Sequence, residues 1–297
     1  MTRLTRRSPR LILAAAATAA LAMTVASCSS SADTGATTAA GGATSASTEP
    51  LKISASSVPH VEILQEVQKL GLLGDGTLDI KEVTGDIDPN ALLESGDVDA
   101  NYFQHVPYEK DWSKQHNVSN LVNVASVHVE PLGLYSKKAN TLEAIPNGST
   151  IAVPNNVTNF ARSLFLLQDA GLITLDVTPD SSTDYSQIGE KNITANPKSL
   201  TFTQVDAPQL PRTLDDGAVE AAVINGNYAL EAGLKPATDS LKLETVKGNP
   251  YANVLTTVTE KQNDPRIQTL AKALQSQQVA DWITATYQGS VVPVLGS

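Results

Sequence analysis

The sequence predicts an α/β protein built as two lobes of similar construction, with a hinge and a ligand cleft between them. Three observations predict this. The chain has 297 residues, more than one ordinary core holds and suited to two lobes. Apolar residues make up 41% and charged residues 18%, a balance that supports a folded chain rather than a disordered one. After residue 50, strand-like and helix-like segments alternate, and one order of segments occurs twice. Such alternation implies largely parallel sheets with right-handed crossovers.

In the first set, residues 51–55 alternate as a strand. Residues 59–70 follow as a helix with Val61, Leu64, Val67 and Leu70 on one side, the spacing of a helical face. Gly71-Leu72 closes it as an αL cap followed by an apolar residue. Residues 78–83 form a second strand, residues 89–96 a short helix with proline early and glycine late, and residues 98–103 a third strand. The second set begins with a strand at 149–153. A helix at 158–170 aligns Phe160, Leu164 and Leu167 and also ends in Gly-Leu, at Gly171-Leu172. A strand at 200–205, a capped helical turn at 213–217 and a strand at 219–224 complete it. The echo extends to residues: Leu93-Glu-Ser-Gly-Asp-Val-Asp-Ala100 matches Leu214-Asp-Asp-Gly-Ala-Val-Glu-Ala221.

Strand-like segments at 120–126 and 128–136 lie between the sets. A strand at 251–258 and helices at 264–276 and 279–288 follow them. Assigning these to the first lobe gives lobe 1 as residues 51–136 plus 248–297 and lobe 2 as residues 137–247. The two crossings form the hinge, and a cleft between hinged lobes is a favoured ligand site.

The first 27 residues read as an address. Arg3, Arg6, Arg7 and Arg10 make a positive start, and residues 11–25 are an apolar stretch too short for a typical membrane span. Small residues then precede Cys28, the one cysteine of the chain. This resembles a bacterial lipobox, which implies cleavage before Cys28 and a thioether-linked diacylglycerol on its sulfur. Residues 28–50 are rich in Ser, Thr, Ala and Gly. They read as a flexible tether with a reach of roughly 25 Å. The expected location is the outer face of a bacterial cell membrane.

Composition excludes several functions. Net charge is −10, and the first acid is Asp33, so the chain beyond the four early arginines is more acidic still. Nucleic acid is a poor partner for such a surface. One cysteine leaves no intramolecular disulfide, Cys-rich zinc site or iron–sulfur cluster. No HExxH, GxSxG, GxxxxGK[ST] or GxGxxG motif occurs. His128-Val-Glu130 has a deaminase-like spacing without its cysteine partners. The four histidines are scattered, and no cofactor or metal site is proposed from them. Nothing in the motifs asks for an enzyme.

What remains suggests binding. Tyr102, Phe103, Tyr108 and Trp112 surround His105 just after a strand, where α/β sheets place ligands. Such rings suit an apolar or thioether side chain. Pro154-Asn-Asn-Val-Thr-Asn-Phe-Ala-Arg162 opens a helix, whose N–H groups and a nearby guanidinium suit a carboxylate. Asn225 follows the strand Ala221-Ala-Val-Ile224 and offers an amide. Together these describe a site for a small zwitterion.

Phe103-Gln-His-Val-Pro-Tyr108, His128-Val-Glu-Pro-Leu-Gly-Leu-Tyr-Ser-Lys-Lys138, Ala207-Pro-Gln-Leu-Pro-Arg212 and Ala222-Val-Ile-Asn-Gly-Asn-Tyr-Ala229 resemble the methionine-binding lipoproteins (MetQ/NlpA type) of ABC importers. Val58-Pro-His60, Thr158-Asn159 and Pro250-Tyr-Ala-Asn253 agree, and the resemblance runs from about residue 51 to 293. It implies a two-lobed periplasmic-binding-protein fold that hands methionine, or a close derivative, to a permease driven by a separate ATPase. It places Phe103, His105 and Tyr108 around the ligand side chain, Arg162 on the carboxylate and Asn225 in the same site, with Asn159 and Tyr135 as further carry-overs. The sequence departs from the family in lacking a tyrosine at Gly85-Asp-Ile-Asp88 and in reading Val157 where the family has proline. The first departure removes an aromatic from the expected pocket. It leaves open a D-isomer, another apolar amino acid, a short peptide, or a surface lipoprotein without transport function.

Overall fold

The computed structural model describes residues 49–84, 87–179 and 183–295. The expected signal peptide, Cys28 and nearly all of the tether lie outside the described residues, as do Gly85 and Asp86. The first elements are β1 (Leu51–Ser56), α1 (Glu62–Lys69), β2 (Leu78–Val83), α2 (Pro89–Glu94), β3 (Ala100–His105), α3 (Val106–His116) and β4 (Leu121–Val129). Next come β5 (Gly133–Tyr135), β6 (Thr150–Pro154), α4 (Val157–Asp169), β7 (Thr174–Leu175), β8 (Ile193–Ala195), β9 (Thr201–Val205) and α5 (Leu210–Thr213). β10 (Ala221–Ile224), α6 (Gly226–Glu231), α7 (Pro236–Asp239), β11 (Lys242–Leu243), β12 (Ala252–Val258), α8 (Pro265–Leu274), α9 (Gln277–Tyr287) and β13 (Val292–Pro293) complete the series. Among the described residues no helix is long and apolar enough to cross a membrane.

Two sheets carry the fold. One has the order β13-β4-β12-β3-β1-β2, the other β11-β5-β10-β6-β9. In the first, β1 pairs parallel with β2 and with β3, and β12 lies antiparallel beside β3. In the second, β6 pairs parallel with β9 and with β10, and β5 lies antiparallel beside β10. Each sheet is therefore three parallel strands in the order second, first, third, followed by an antiparallel strand. The expectation of largely parallel sheets holds for those triplets and not for the strands outside the echoed sets.

The echo is also visible in hydrogen bonds. Leu72 N–H donates to the Val67 carbonyl at 3.2 Å and Gly71 N–H to Gln68 at 3.0 Å. After α4, Leu172 N–H donates to Leu167 at 3.0 Å and Gly171 N–H to Gln168 at 2.8 Å. Both are Schellman caps, and both place glycine at positive φ, +67° and +71°. Each sheet has its own apolar core. Ile63, Leu64 and Val67 of α1 pack with Leu270 and Ile283 over the first sheet, and Leu164 and Leu167 of α4 pack with Ile151 and Val223 over the second. Burying each such side chain contributes about 1.5–3 kcal/mol.

Some expected boundaries shift for physical reasons. Leu70, expected on the buried face of α1, is 40% exposed, and Ile63 takes its place in the core, because the helix ends at Lys69 and Leu70 already belongs to the cap. β4 runs unbroken to Val129, where Pro131, lacking an N–H, follows. The helical turn expected at 213–217 comes earlier, as α5, with Pro211 in its first turn. Gly133–Tyr135 pairs in the second sheet, so the chain changes sheets between Val129 and Gly133, a few residues ahead of the crossing expected near 136.

A Cβ added at Gly133 would lie 2.6 Å from the Tyr135 ring, and Tyr135 is buried in an apolar cluster. Gly133→Ala is expected to destabilise the fold by about 1–3 kcal/mol through overpacking, read as a lower urea midpoint. An unchanged midpoint would show that the ring has room to move.

Candidate ligand-binding site

The two sheets place one set of strand ends together. β1 ends at Ser56, β3 at His105 and β10 at Ile224, and α4 begins just beyond the end of β6. These are carboxyl ends on either side of the point where strand order reverses, the position where open α/β sheets form a ligand crevice. A cavity of about 110 Å³ lies there. It is lined from the first sheet's elements by Ser56, Phe103, Gln104, His105, Tyr108 and Asn253, and from the second sheet's by Asn159, Arg162, Asn225, Asn227 and Tyr228. Glu130, in the crossing between the sheets, completes the wall. Six of the seven ligand residues expected from the sequence meet here. The seventh, Tyr135, does not: it is buried among Ala152, Leu210, Leu214 and Ile224 in the second sheet's interior.

Arg162 is 2% exposed. Its Nε donates to Glu244 Oε1 at 2.9 Å and its Nη2 to Glu244 Oε2 at 2.5 Å, the bidentate geometry that makes arginine–carboxylate pairs strong. Nη2 also donates to the Glu130 carbonyl at 2.8 Å, and the guanidinium lies 4.3 Å above the Tyr251 ring, a cation–π distance. Nη1 takes part in none of these bonds. The clamp expected for the ligand is thus largely engaged inside the protein, by an acid that sequence reasoning missed. The α4 N-terminus is engaged as well. Asn156 Oδ1 accepts from the Thr158 and Asn159 N–H groups, so the expected helix-end anion site is capped by the chain itself.

A relay of polar groups crosses the cavity. The Tyr108 N–H donates to His105 Nδ1 at 3.1 Å, so the proton of a neutral ring sits on Nε2, which faces Asn159 Oδ1 at 3.1 Å. The same Oδ1 accepts from Asn225 Nδ2 at 3.2 Å. Asn225 Oδ1 is buried and, among the described residues, has no hydrogen-bond partner. Burial, then the Arg162 charge, lowers the His105 pKa to about 3, so the ring is neutral. Burial also pushes the Tyr108 hydroxyl up to about 12.

The expected aromatic cluster divides. Phe103 and Tyr108 meet edge to face at 5.9 Å and stay at the cavity. Tyr102 faces the other side of β3, as strand alternation requires, and bonds His128 Nδ1 at 2.5 Å. Trp112 turns away on α3, donating to Asp88 at 2.8 Å and stacking on His116. An outer chamber of about 280 Å³ shares Ser56, Phe103, Tyr108 and Tyr228 with the inner cavity and continues to Val83, Ile87, Pro89 and Glu231.

Two histidines that seem scattered in sequence meet behind Glu130. His128 Nε2 lies 2.8 Å and His60 Nε2 3.2 Å from Glu130 Oε1. His60 Nε2 also reaches Asn253 Oδ1 at 3.0 Å, and Glu130 Oε2 accepts from the Asn227 N–H at 3.1 Å. Donor atoms of these three side chains lie within 4.8 Å of one another, close enough for a metal, but in this arrangement they are bonded to each other. Burial lowers His60 to about 4 and His128 to about 3. Burial raises the Glu130 carboxyl above its ordinary range. The close approach needs Gly226, where a Cβ would lie 2.9 Å from the Glu130 Cβ. Sequence reasoning missed Glu130, and the signal that could have found it is the one that found Asn225: each directly follows the last residue of a strand.

A two-lobed α/β fold with a buried polar cavity at its strand ends defines a small-molecule binding protein. The chain belongs to the NlpA lipoprotein family, whose model matches residues 51–295. The methionine-binding lipoprotein MetQ of Bacillus subtilis (strain 168) is 38% identical over 254 residues, covering 85% of this chain and 90% of that protein. The D-methionine-binding lipoprotein MetQ of Escherichia coli (strain K12) is 38% identical over 217 residues, 72% of this chain and 78% of that one. Among solved structures, a nutrient binding protein from Burkholderia cenocepacia bound to methionine superposes with a TM-score of 0.74 at 38% identity, covering 82% of this chain and 99% of that chain.

His60, His105 and His128 are neutral in the fold and titrate near their ordinary 6.5 when unfolded. As pH falls below about 6.5 the unfolded chain takes up protons that the folded chain refuses. Stability is therefore expected to fall between about pH 6.5 and 4, by up to about 1.4 kcal/mol per pH unit for each histidine. Glu130 opposes this, since its raised pKa makes the folded state hold a proton longer. Thermal midpoints across that range check the sign, and midpoints flat from pH 4 to 6.5 would contradict it.

Proposed function

We propose that this chain is the lipid-anchored substrate-binding protein of an ABC importer, and that it captures methionine or a close derivative. One observation carries the reading: a single buried cavity holds the Arg162 guanidinium, the unpartnered Asn225 Oδ1 and the Phe103–Tyr108 edge-to-face wall. These suit a carboxylate, an ammonium and a thioether respectively, and the B. subtilis and E. coli relatives are named for binding methionine and D-methionine. His105, Asn159 and Asn225 form the hydrogen-bonded floor, with Arg162 Nη1 above it for the carboxylate.

The mechanism is capture rather than chemistry. The lobes close about the crossings at 130–132 and 244–251, water leaves the cavity, and the closed form docks on a permease served by a separate ATPase. Cys28 carries the lipid, and the tether holds the domain at the outer face of the cell membrane. The outer chamber supports a second reading, in which the ligand is longer than methionine: a methionine derivative or a short peptide.

Saturating ligand at ~1,000 times its Kd should stabilise the protein by about 4 kcal/mol. A thermal melt with L-methionine, D-methionine, methionine sulfoxide and methionine-containing dipeptides tests the reading, and no shift with any of them would sink it. Separately, Cys28→Ser in the full chain should move the protein from the membrane fraction to the soluble one. Retention on the membrane would remove the lipid assignment.

A further inference from the structure

The outer chamber, of about 280 Å³, adjoins the inner cavity that the proposed function gives to the ligand. Phe103, Tyr108 and Tyr228 line both spaces, so three aromatic rings stand where one space becomes the other. Burial, then the Asp88 charge, pushes the Tyr108 hydroxyl up to about 12, and burial, then the Glu231 charge, does the same for Tyr228. Both rings therefore stay neutral, and the face of a neutral aromatic ring attracts a cation. The charge of the chamber has one sign. Asp88 and Glu231 line it, and none of its lining residues is Lys, Arg or His. Among the described residues the Asp88 oxygens accept from neutral donors, the N–H groups of Asn90 and Ala91 and Nε1 of Trp112. Partial burial, then the Glu130 and Glu82 carboxylates, raises the Glu231 carboxyl above its ordinary range, as for an acid set among acids.

A methionine whose thioether lies against Phe103 and Tyr108 has its sulfur at the threshold of this chamber. A neutral side chain brings nothing there to answer the carboxylates. A sulfur carrying three carbon substituents is a sulfonium, with a fixed positive charge and no N–H or O–H to hydrogen-bond, and rings flanked by acids are the surroundings such a cation suits. We infer that the outer chamber is a subsite for a positively charged sulfur, and that the ligands this protein prefers are sulfonium derivatives of methionine. The third substituent of the sulfur enters the chamber, the rings of Phe103, Tyr108 and Tyr228 surround the charge, and Glu231 with Asp88 supplies the opposite sign. The inference rests on the reading above, of methionine or a close derivative, and deepens it by naming the derivative's charge.

Calorimetric titration of the purified protein tests this with three probes: L-methionine, S-methyl-L-methionine and L-homoleucine. The side chain of L-homoleucine has the shape of the sulfonium, with a neutral carbon in place of the charged sulfur, so the ratio of those two affinities reads charge and not size. Wild type should bind S-methyl-L-methionine at least about fivefold more tightly than L-homoleucine, the scale of one cation–π contact. Glu231→Gln, a change at a position open to solvent, should cut that ratio by about threefold. Equal affinity for S-methyl-L-methionine and L-homoleucine, with methionine still bound, overturns the inference alone, because the chamber then reads size. A ratio that is unchanged in Glu231→Gln overturns the assignment of Glu231 to the subsite. Binding of none of the three probes overturns the functional reading and the inference with it.

Discussion

The Arg162 guanidinium grips Glu244 and the Glu130 carbonyl at once, and the rest of the site is arranged around that grip. Glu130 to Leu132 is the outgoing crossing between the sheets, and Glu244 stands at the start of the return. The crossings also bond each other: Glu244 N–H donates to the Leu132 carbonyl at 2.9 Å, and Leu132 N–H to Glu244 Oε2 at 3.1 Å. Removing one member of such a buried pair leaves an uncompensated charge, at a cost of about 3–5 kcal/mol. The cation proposed to read a carboxylate is therefore the same cation that ties the two crossings together. The proposed ligand recognition and the bonding between the crossings would then meet in one side chain.

The cavity's position follows from strand order. Two triplets with the same parallel order each present a reversal point, and the crossings bring both reversal points to one cavity. Strand ends carry the cavity's polar groups: His105 is the last residue of β3, and Glu130 and Asn225 directly follow β4 and β10. Of these strands β10, Ala221–Ile224, is itself fully apolar and buried. Rigid strands thus hold the polar groups at and just beyond their ends in place.

Burial sets the protonation of the site. Three histidines in and behind the cavity are kept neutral by desolvation, so they act as hydrogen-bond donors and acceptors of fixed tautomer. Their order is legible from the backbone outwards, since the Tyr108 N–H determines which nitrogen of His105 donates.

The sequence by itself determined what is local. Periodicity located the main strands and helices, and the repeated Gly-Leu signal marked two Schellman caps that match bond for bond. The strand-end rule pointed to Phe103, His105 and Asn225, and the helix opening to Arg162; all four share one cavity. Local pattern also misled where neighbours in sequence part company in space, as Tyr102 and Trp112 do from Phe103. Only the tertiary structure decided that Arg162 is already paired, that Tyr135 belongs to a core, and that His60 and His128 converge on Glu130. Those outcomes depend on register between strands far apart in the chain and on where the chain changes sheets. Neither leaves a trace in local spacing, because a side chain's partners across a sheet are set by packing, not by its neighbours along the backbone.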